Sequence, residues 1–488
     1  MTETLQRPTP PADSSSPQRD SSKGWFGQLL LRLHFYAGIL VGPFILIAAL
    51  SGAAYAITPQ IEQVVYDREL HAPVTSTTLT LAEQVEAAEA YAGDDTLVAV
   101  RPAPEPGDTT RVMFAGTDLG ESETRSVFVA PGTAEIRGDL TTYGTSGALP
   151  IRTWVDHLHR NLHLGDAGRL YSELAASWLG VVVLAGAALW VIRYRKARRG
   201  RRDMVRPNNR VTGYRRIFSW HASTGIWLLI GALFLSATGI TWSKYAGANV
   251  DTLRAALDWG TPSVDPALTE AAGPTATGDH AGHAGHGSAA PVTDDPTAPL
   301  IEATTFDEVL GVARSVNVNT GLVQITPPTI ADTAWVVQEI QRSYPTEVDS
   351  VAIDGDTLEV VDRADFKDFP LAAKLTRWGI DTHMGQQFGI ANQIVLVITA
   401  LGIATMVILG YLMWWKRRPT QTGALVGRPA AAGALARAPW WGTGAMIAVA
   451  LGLGWFLPLL GVSLLGFVLI DALVTAASAR GQNDETGR

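Results

Sequence analysis

Four stretches of this chain are too apolar and too long to belong anywhere but in a lipid bilayer, and they limit its folds more than any other feature. Residues 33–57, 174–192, 217–242 and 390–415 are almost free of charge. About 20 apolar residues, rising about 1.5 Å each, cross a hydrocarbon core of about 30 Å, so each run is expected as a membrane-spanning helix. Two shorter runs, 441–456 and 459–474, meet at Pro458 and read as a tight hairpin, with one broken helix as the alternative. The 488 residues are 47% hydrophobic and 17% charged, figures that a large soluble protein could share. It is their clustering that decides the class.

Charge sets the orientation. The loop 193–216 is dense in Lys and Arg, with Asp203 as its single acid, and Lys416-Arg417-Arg418 follows the fourth run. Both places are expected on the cytoplasmic side of the plasma membrane. The long segments between spans carry an excess of acids and should lie outside, which leaves both termini in the cytoplasm. The expected order is a disordered tail rich in Pro, Ser and Thr (1–24), a span (25–57), an outer domain (58–172) and a span (173–192). A basic loop (193–216), a span (217–242), a second outer domain (243–389) and a span (390–415) follow. A linker (416–440), the C-terminal hairpin (441–474) and a tail (475–488) complete the chain. No small-residue cleavage site follows the first span, which therefore reads as an anchor. The basic loop reads mainly as a topology signal, and less as a dock for an acidic donor or anionic lipid. There are no cysteines, which excludes disulfides, cysteine-held clusters and haem attached through thioether bonds.

The chain repeats itself in one orientation. His34 and His221 open their spans at equivalent places, and Gly52 and Gly239 follow each by 18 residues, an offset of 187. At a constant offset of 224, Trp154 falls on Trp378, His159 on His383, Gly165 on Gly389, Gly186 on Gly410, Trp190 on Trp414 and Arg193 on Arg417. The second outer segment is longer, and much of the excess is the Gly/Ala/His/Pro-rich stretch 271–299, which reads as a flexible insertion. Each outer segment has a helical patch (81–91 and 306–316) followed by short strand-like patches. These are 96–100, 111–114 and 126–129 in the first, and 334–340, 350–353 and 358–361 in the second. One helix on an antiparallel sheet is the expected unit, and Ile353-Asp354-Gly355-Asp356 is a hairpin signal. The fold class is thus a mainly α-helical polytopic membrane protein. Two parallel two-span repeats make a four-helix core, with a C-terminal helical hairpin and α+β outer domains.

The two-span repeat, Leu158-His159-Arg160-Asn161-Leu162, Gly168-Arg169-Leu170-Tyr171 and the endings Gly186-x-x-x-Trp190 and Gly410-x-x-x-Trp414 resemble the PepSY-associated transmembrane helix family. Val127-Phe128-Val129-Ala130-Pro131-Gly132 and Val351-Ala352-Ile353-Asp354-Gly355 are similar to its PepSY strand-turn signature. The resemblance covers about residues 26–418. It implies PepSY-like outer domains and a kinship with iron-regulated membrane proteins and ferric-siderophore reductases that hold haem in the membrane.

Neutral imidazole ligates haem iron, and two imidazoles from neighbouring helices fill both axial positions, which favours electron transfer over gas binding. His34 and His221 are the expected pair for one haem b near the inner face, and His159 and His383 for a second near the outer face. Gly38, Gly52, Gly225 and Gly239 would let a flat macrocycle or another helix come close. The competing reading makes the histidines interfacial residues bonded to headgroups or carbonyls. Repetition in frame argues against it. His163, four residues past His159, would share its helix face and could replace it or bond a propionate, while His157 reads as a surface residue. His280, His283 and His286 in the insertion could capture copper, zinc or nickel, although a solvated linker is the plainer reading. Glu173 reads as an interface residue, with proton handling as the lesser alternative.

The chain lacks Gly-x-Gly-x-x-Gly in a strand context, a P-loop and His-Glu-x-x-His, and an acidic membrane chain gives nucleic-acid binding no support. The expected function is haem-mediated electron transfer through the lipid membrane to an outer acceptor, which the resemblance implies to be a ferric chelate such as a siderophore. A quinol or cytoplasmic reductase would be the separate donor. The rival is a non-enzymatic membrane protein whose outer domains bind or regulate a partner, or which handles copper through its His-rich loop.

Overall fold

The computed structural model describes residues 24–197, 201–269, 301–417 and 437–486. The first apolar run folds as two helices, α1 (Trp25–Leu40) and α2 (Gly42–Ala56), which meet at Val41 with a bend of 61°. Pro43 causes the break: it has no N–H to give to the Ile39 carbonyl one turn earlier. That carbonyl accepts a hydrogen bond from the Tyr411 hydroxyl instead. Gly42 permits this approach, since a Cβ there would lie 3.3 Å from both Tyr411 and Val407. The span expected as one helix is therefore a broken one.

Short helices α3 (Thr58–Val65) and α4 (Asp67–Leu70) lead away from the bundle to α5 (Leu81–Ala92) and four strands. These are β1 (Leu97–Arg101), β2 (Thr110–Phe114), β3 (Glu123–Val129) and β4 (Ile136–Tyr143). The chain returns through α6 (Pro150–Asn161) into α7 (Gly165–Lys196), then crosses back as α8 (Gly213–Thr241) and turns through α9 (Tyr245–Ala256). The second excursion repeats the first: α10 (Ala303–Ser315), then β5 (Val323–Thr326), β6 (Trp335–Glu339), β7 (Ser350–Ile353) and β8 (Val360–Ala364). It returns through α11 (Leu371–His383) into α12 (Gly389–Lys416). Both α7 and α12 open on a glycine with φ of 55°, a left-handed conformation that most side chains avoid. They begin before the apolar runs do, α7 by more than two turns.

With 32, 29 and 28 residues, α7, α8 and α12 are long and apolar enough to cross a membrane, and the bent α1–α2 pair makes a fourth candidate. α7 packs on α8 and α1, and α12 packs on α2 and α8. Trp227 (74% exposed), Ile230 (82%) and Ile398 (62%) point away from this bundle, a surface suited to hydrocarbon. At the C-terminus α13 (Trp440–Phe456) and α14 (Pro458–Thr486) fold against each other as a hairpin. Gly454 and Gly461 touch at the crossing. The hairpin is fastened to the bundle by Trp178 Nε1, which donates to Ser463 Oγ at 2.8 Å, and by Asn249 Nδ2, which donates to Phe456 O at 3.0 Å.

The two outer segments, expected as separate units, share one eight-stranded antiparallel sheet in the order β4-β3-β2-β1-β5-β6-β7-β8. Two four-stranded halves would each expose an edge, and pairing Val100 with Ile325 joins them. One core runs through both halves, with Val85, Val112 and Phe114 packed together with Phe306, Ile325 and Trp335. Asp307 of α10 accepts hydrogen bonds from the N–H groups of Leu81 and Ala82, both at 2.8 Å, and so caps the start of α5. The sequence reading missed β4, which is interrupted by Gly138 and Asp139, and the four-residue β5. The hairpin signalled after Ile353 joins β7 to β8, with Asp354 N–H donating to Glu359 O and Leu358 at φ of 59°.

Asp307→Ala should loosen the junction between the halves by about 1–2 kcal/mol, the usual worth of a cap. Hydrogen exchange is expected to accelerate in α5 first, while the amides of α7 and α12 stay protected.

Candidate functional site

The histidines that open the first and third spans face each other. His34 on α1 and His221 on α8 have ring centres 6.1 Å apart and planes at 75°. His34 Nδ1 is 2.9 Å from the carbonyl oxygen of Val182 on α7. A carbonyl can only accept, so Nδ1 carries the hydrogen and Nε2 keeps its lone pair. Met406 on α12 stands at Val182's place in the second repeat, and its main chain approaches His221 without closing a hydrogen bond to the buried Nδ1. Gly186 makes room for the His34 ring, because a Cβ there would come within 3.0 Å of His34 Cε1.

The second pair sits at the sheet end of the bundle. His159 on α6 leans on α2, where its Nδ1 is 3.0 Å from Ser51 Oγ. The Ser51 hydroxyl spends its own hydrogen on Ile47 O, so it accepts from the imidazole. His383, the last residue of α11, meets Thr238 Oγ1 on α8 in the same way, and that hydroxyl donates to Phe234 O. Among the described residues neither ring has a hydrogen-bond partner at Nε2. These helices lie outside the spans, and burial pushes both imidazoles down, His383 to about 3 with His159 as the nearby like charge. Gly52 lies under His159 as Gly186 lies under His34, with a hypothetical Cβ again 3.0 Å from Cε1.

Ser51 and Thr238 escaped the sequence reading, although they carry a signal. They align at the same offset of 187 as His34 and His221, each directly before an aligned glycine. Hydroxyl residues inside apolar helices usually bond their own backbone, which is why they drew no attention.

Each pair lines a cavity. The one at His34 and His221 encloses about 510 Å³ between α1, α7, α8 and α12, with apolar walls and Arg193, Lys196 and Arg417 at the end away from the sheet. Arg193 stacks 4.3 Å from the Phe218 ring, and Arg417 lies 5.1 Å over Tyr214. Gly38 and Gly410 also line it, with nothing within 4 Å of where a Cβ would stand. The cavity at His159 and His383 is smaller, about 150 Å³, and is shared with Tyr55, Arg160, Trp242 and Met384. Seventeen residues of α8 separate His221 from the Thr238 that holds His383, about 26 Å of helix.

These sites suit a ligand that brings most of its own donors. No group of three or more His, Cys, Asp or Glu among the described residues could hold a bare metal ion. Two imidazoles complete a metal already bound in a macrocycle, and metal–nitrogen bonds of about 2.0 Å plus the ring radii put the ring centres about 6 Å apart. The apolar walls, the basic end and the glycines lining the larger cavity suit a haem.

His163 does not join this arrangement. α6 ends at Asn161, and Leu162 and His163 turn left-handed with φ of 54° and 56°. The shared helix face expected from the four-residue spacing is lost, and the exposed His163 ring packs 4.9 Å from Trp154. His157 rests edge-on to Tyr143 at 5.2 Å. Glu173 is a buried cap, accepting from the N–H groups of Tyr245 and Ala246 at the start of α9. His280, His283 and His286 lie outside the described residues.

The model of the family described as PepSY-associated TM region matches residues 31–417. No match was found among curated proteins.

Gly186→Val should crowd the His34 ring and destabilise the cofactor-free protein by about 1–3 kcal/mol, the range of core overpacking. Gly38→Ala, which enters open space, should stay within about 1 kcal/mol of the parent. Thermal melting in detergent separates the two.

Proposed function

The chain belongs to the PepSY-associated TM region family, and from that premise we propose that this membrane protein carries electrons on haem b through the plasma membrane to a ferric chelate outside. One observation supports the reading above others. His34, His159 and His383 are turned by their Nδ1 bonds so that Nε2 stands bare, the atom and tautomer that iron needs.

His34 and His221 would hold one haem, and His159 and His383 a second. Haem, when bound, supplies a one-electron iron couple; the protein supplies position and surroundings. Val182 O, Ser51 and Thr238 fix the imidazole rings. Apolar walls from α1, α7, α8 and α12 would surround the macrocycle in the larger cavity. Arg193, Lys196 and Arg417 would neutralise propionate carboxylates at its mouth, which positive-inside bias assigns to the cytoplasm together with both termini. The donor would be a quinol or a cytoplasmic reductase, and the acceptor a ferric siderophore or similar chelate reached from the sheet side.

Protein purified from haem-replete cells should show a Soret band and the sharp reduced α-bands of six-coordinate haem b, with two haems per chain by pyridine haemochrome. His34→Ala or His221→Ala should remove one haem, and His159→Ala or His383→Ala the other. A colourless preparation sinks the proposal. Haem that no ferric chelate reoxidises leaves an electron carrier with another acceptor.

A further inference from the structure

The face of the sheet turned towards the bundle carries an unusual concentration of one charge. Arg101 on β1 and Arg111 on β2 are direct cross-strand partners, an arrangement in which like charges repel. Both reach the loop that follows β4. Arg101 Nη2 donates to Thr145 O at 3.0 Å, and Arg111 Nη1 donates to Gly147 O at 3.1 Å. A third guanidinium arrives from the other half of the chain, where Arg342 Nη2 donates to Thr145 Oγ1 at 2.6 Å. Gly147 is confined between them: with φ of 59°, it leaves a place where a Cβ would run into Arg101 Nη1 and lie 3.0 Å from Arg111 Nη1.

The surrounding carboxylates do not balance this charge. Asp381 is shared between Arg342 at 3.1 Å and Arg377 at 2.8 Å, and Glu62 faces Arg152 at 3.8 Å while accepting from Leu149 N–H. Among the described residues no carboxylate meets Arg101 or Arg111 at ion-pair distance; Arg111 still feels the more distant Glu62 and Asp108, whereas the charges bearing on Arg101 are those of Arg111 and Arg342. Burial, followed by these two like charges, holds Arg101 down to about 9. A buried cation without a counter-charge is among the costliest things a fold can keep, and for Arg101 the carbonyl of Thr145 and the side-chain oxygen of Gln324 are a poor substitute.

The cluster borders the sheet-side histidines. Arg152 Nε donates to the hydroxyl of Tyr55, which lines the cavity of His159 and His383. Arg342 Nη1 touches Sδ of Met384, the residue after His383. Thr145, under which Arg101 and Arg342 converge, is exposed.

We propose that Arg101, Arg111 and Arg342 seat the carboxylates of an anionic ligand, the polycarboxylate shell of a ferric chelate, beside the His159–His383 end of the electron path. This rests on the electron-transfer reading for its purpose, but not for its binding. Arg101 and Arg111, which bond only neutral oxygens, would turn to carboxylate oxygens, which accept more strongly and return the missing charge, while Arg342 would keep Asp381 and offer its Nη2.

Citrate, free and as ferric citrate, is the probe, applied to the full chain with its haem. Citrate should raise the melting temperature of the parent protein. Arg101→Gln should melt higher than the parent in citrate-free buffer, because an uncompensated charge is gone, and should lose most of the citrate-induced rise; Arg101→Lys should keep it. KM for ferric citrate should increase about tenfold in Arg101→Gln, one charge-assisted bond's worth, and by less for an uncharged hydroxamate chelate. Citrate binding needs no haem, so a colourless protein that still responds to citrate through Arg101 keeps this site while losing the redox reading. No citrate shift in the parent, or an equal shift in Arg101→Gln, overturns the proposal. So does an Arg101→Gln protein that melts lower and loses one haem signal, since the cluster would then hold propionates.

Discussion

An imidazole pinned through Nδ1 to the helix beside it is the interaction on which the rest of this bundle depends. Away from water an unpaired polar ring is expensive, and three of the four histidines are met by a neighbour that dictates where the ring points. Val182 meets His34, Ser51 meets His159 and Thr238 meets His383. Glycines follow from the same requirement: Gly186 and Gly52 exist where a ring edge would otherwise strike a side chain. The broken first span belongs to this economy of close approach, since Gly42 and Pro43 let Tyr411 enter where a helical hydrogen bond is missing.

Above the bundle, the joined sheet gives the protein a rigid roof with two unlike faces. α5 and α10 cover one face with a continuous apolar core. The other holds arginines over the helices that carry His159 and His383. A fold optimised only for stability would not set Arg101 opposite Arg111 and bury Arg101 near Arg342. Local rules of this kind tend to be broken where a ligand is to be received. The same roof brings parts of the chain far apart in sequence to one place, for Thr145 and Arg342 meet only because β1 pairs with β5.

Much of this was legible without coordinates, and for simple reasons. Apolar runs must become helices in a bilayer, so the spans could be placed to within a few turns, and α5, α10 and β7 were visible in their periodicity. His34, His159, His221 and His383 stood out because a repeated chain shows its own equivalent positions. Misjudged features share a different cause. β4 and β5 are too short or too polar to announce themselves and exist because their neighbours offer hydrogen bonds. His163 fell away because α6 unwinds two residues earlier than the spacing assumed. Glu173 proved to be a cap for a helix that lies 72 residues further along the chain.

By itself the sequence determined that this is a membrane protein of several spans with a repeated pattern of histidines, because hydrophobic length and in-frame repetition are properties of the chain alone. Only the tertiary structure decided that His34 faces His221 at 6.1 Å, that Ser51 and Thr238 orient the other two rings, and that two outer segments fuse into one sheet with three arginines beneath it. Such facts depend on which helix face meets which and on which edge strands pair. Those choices are made by packing between distant segments, where no local pattern records them.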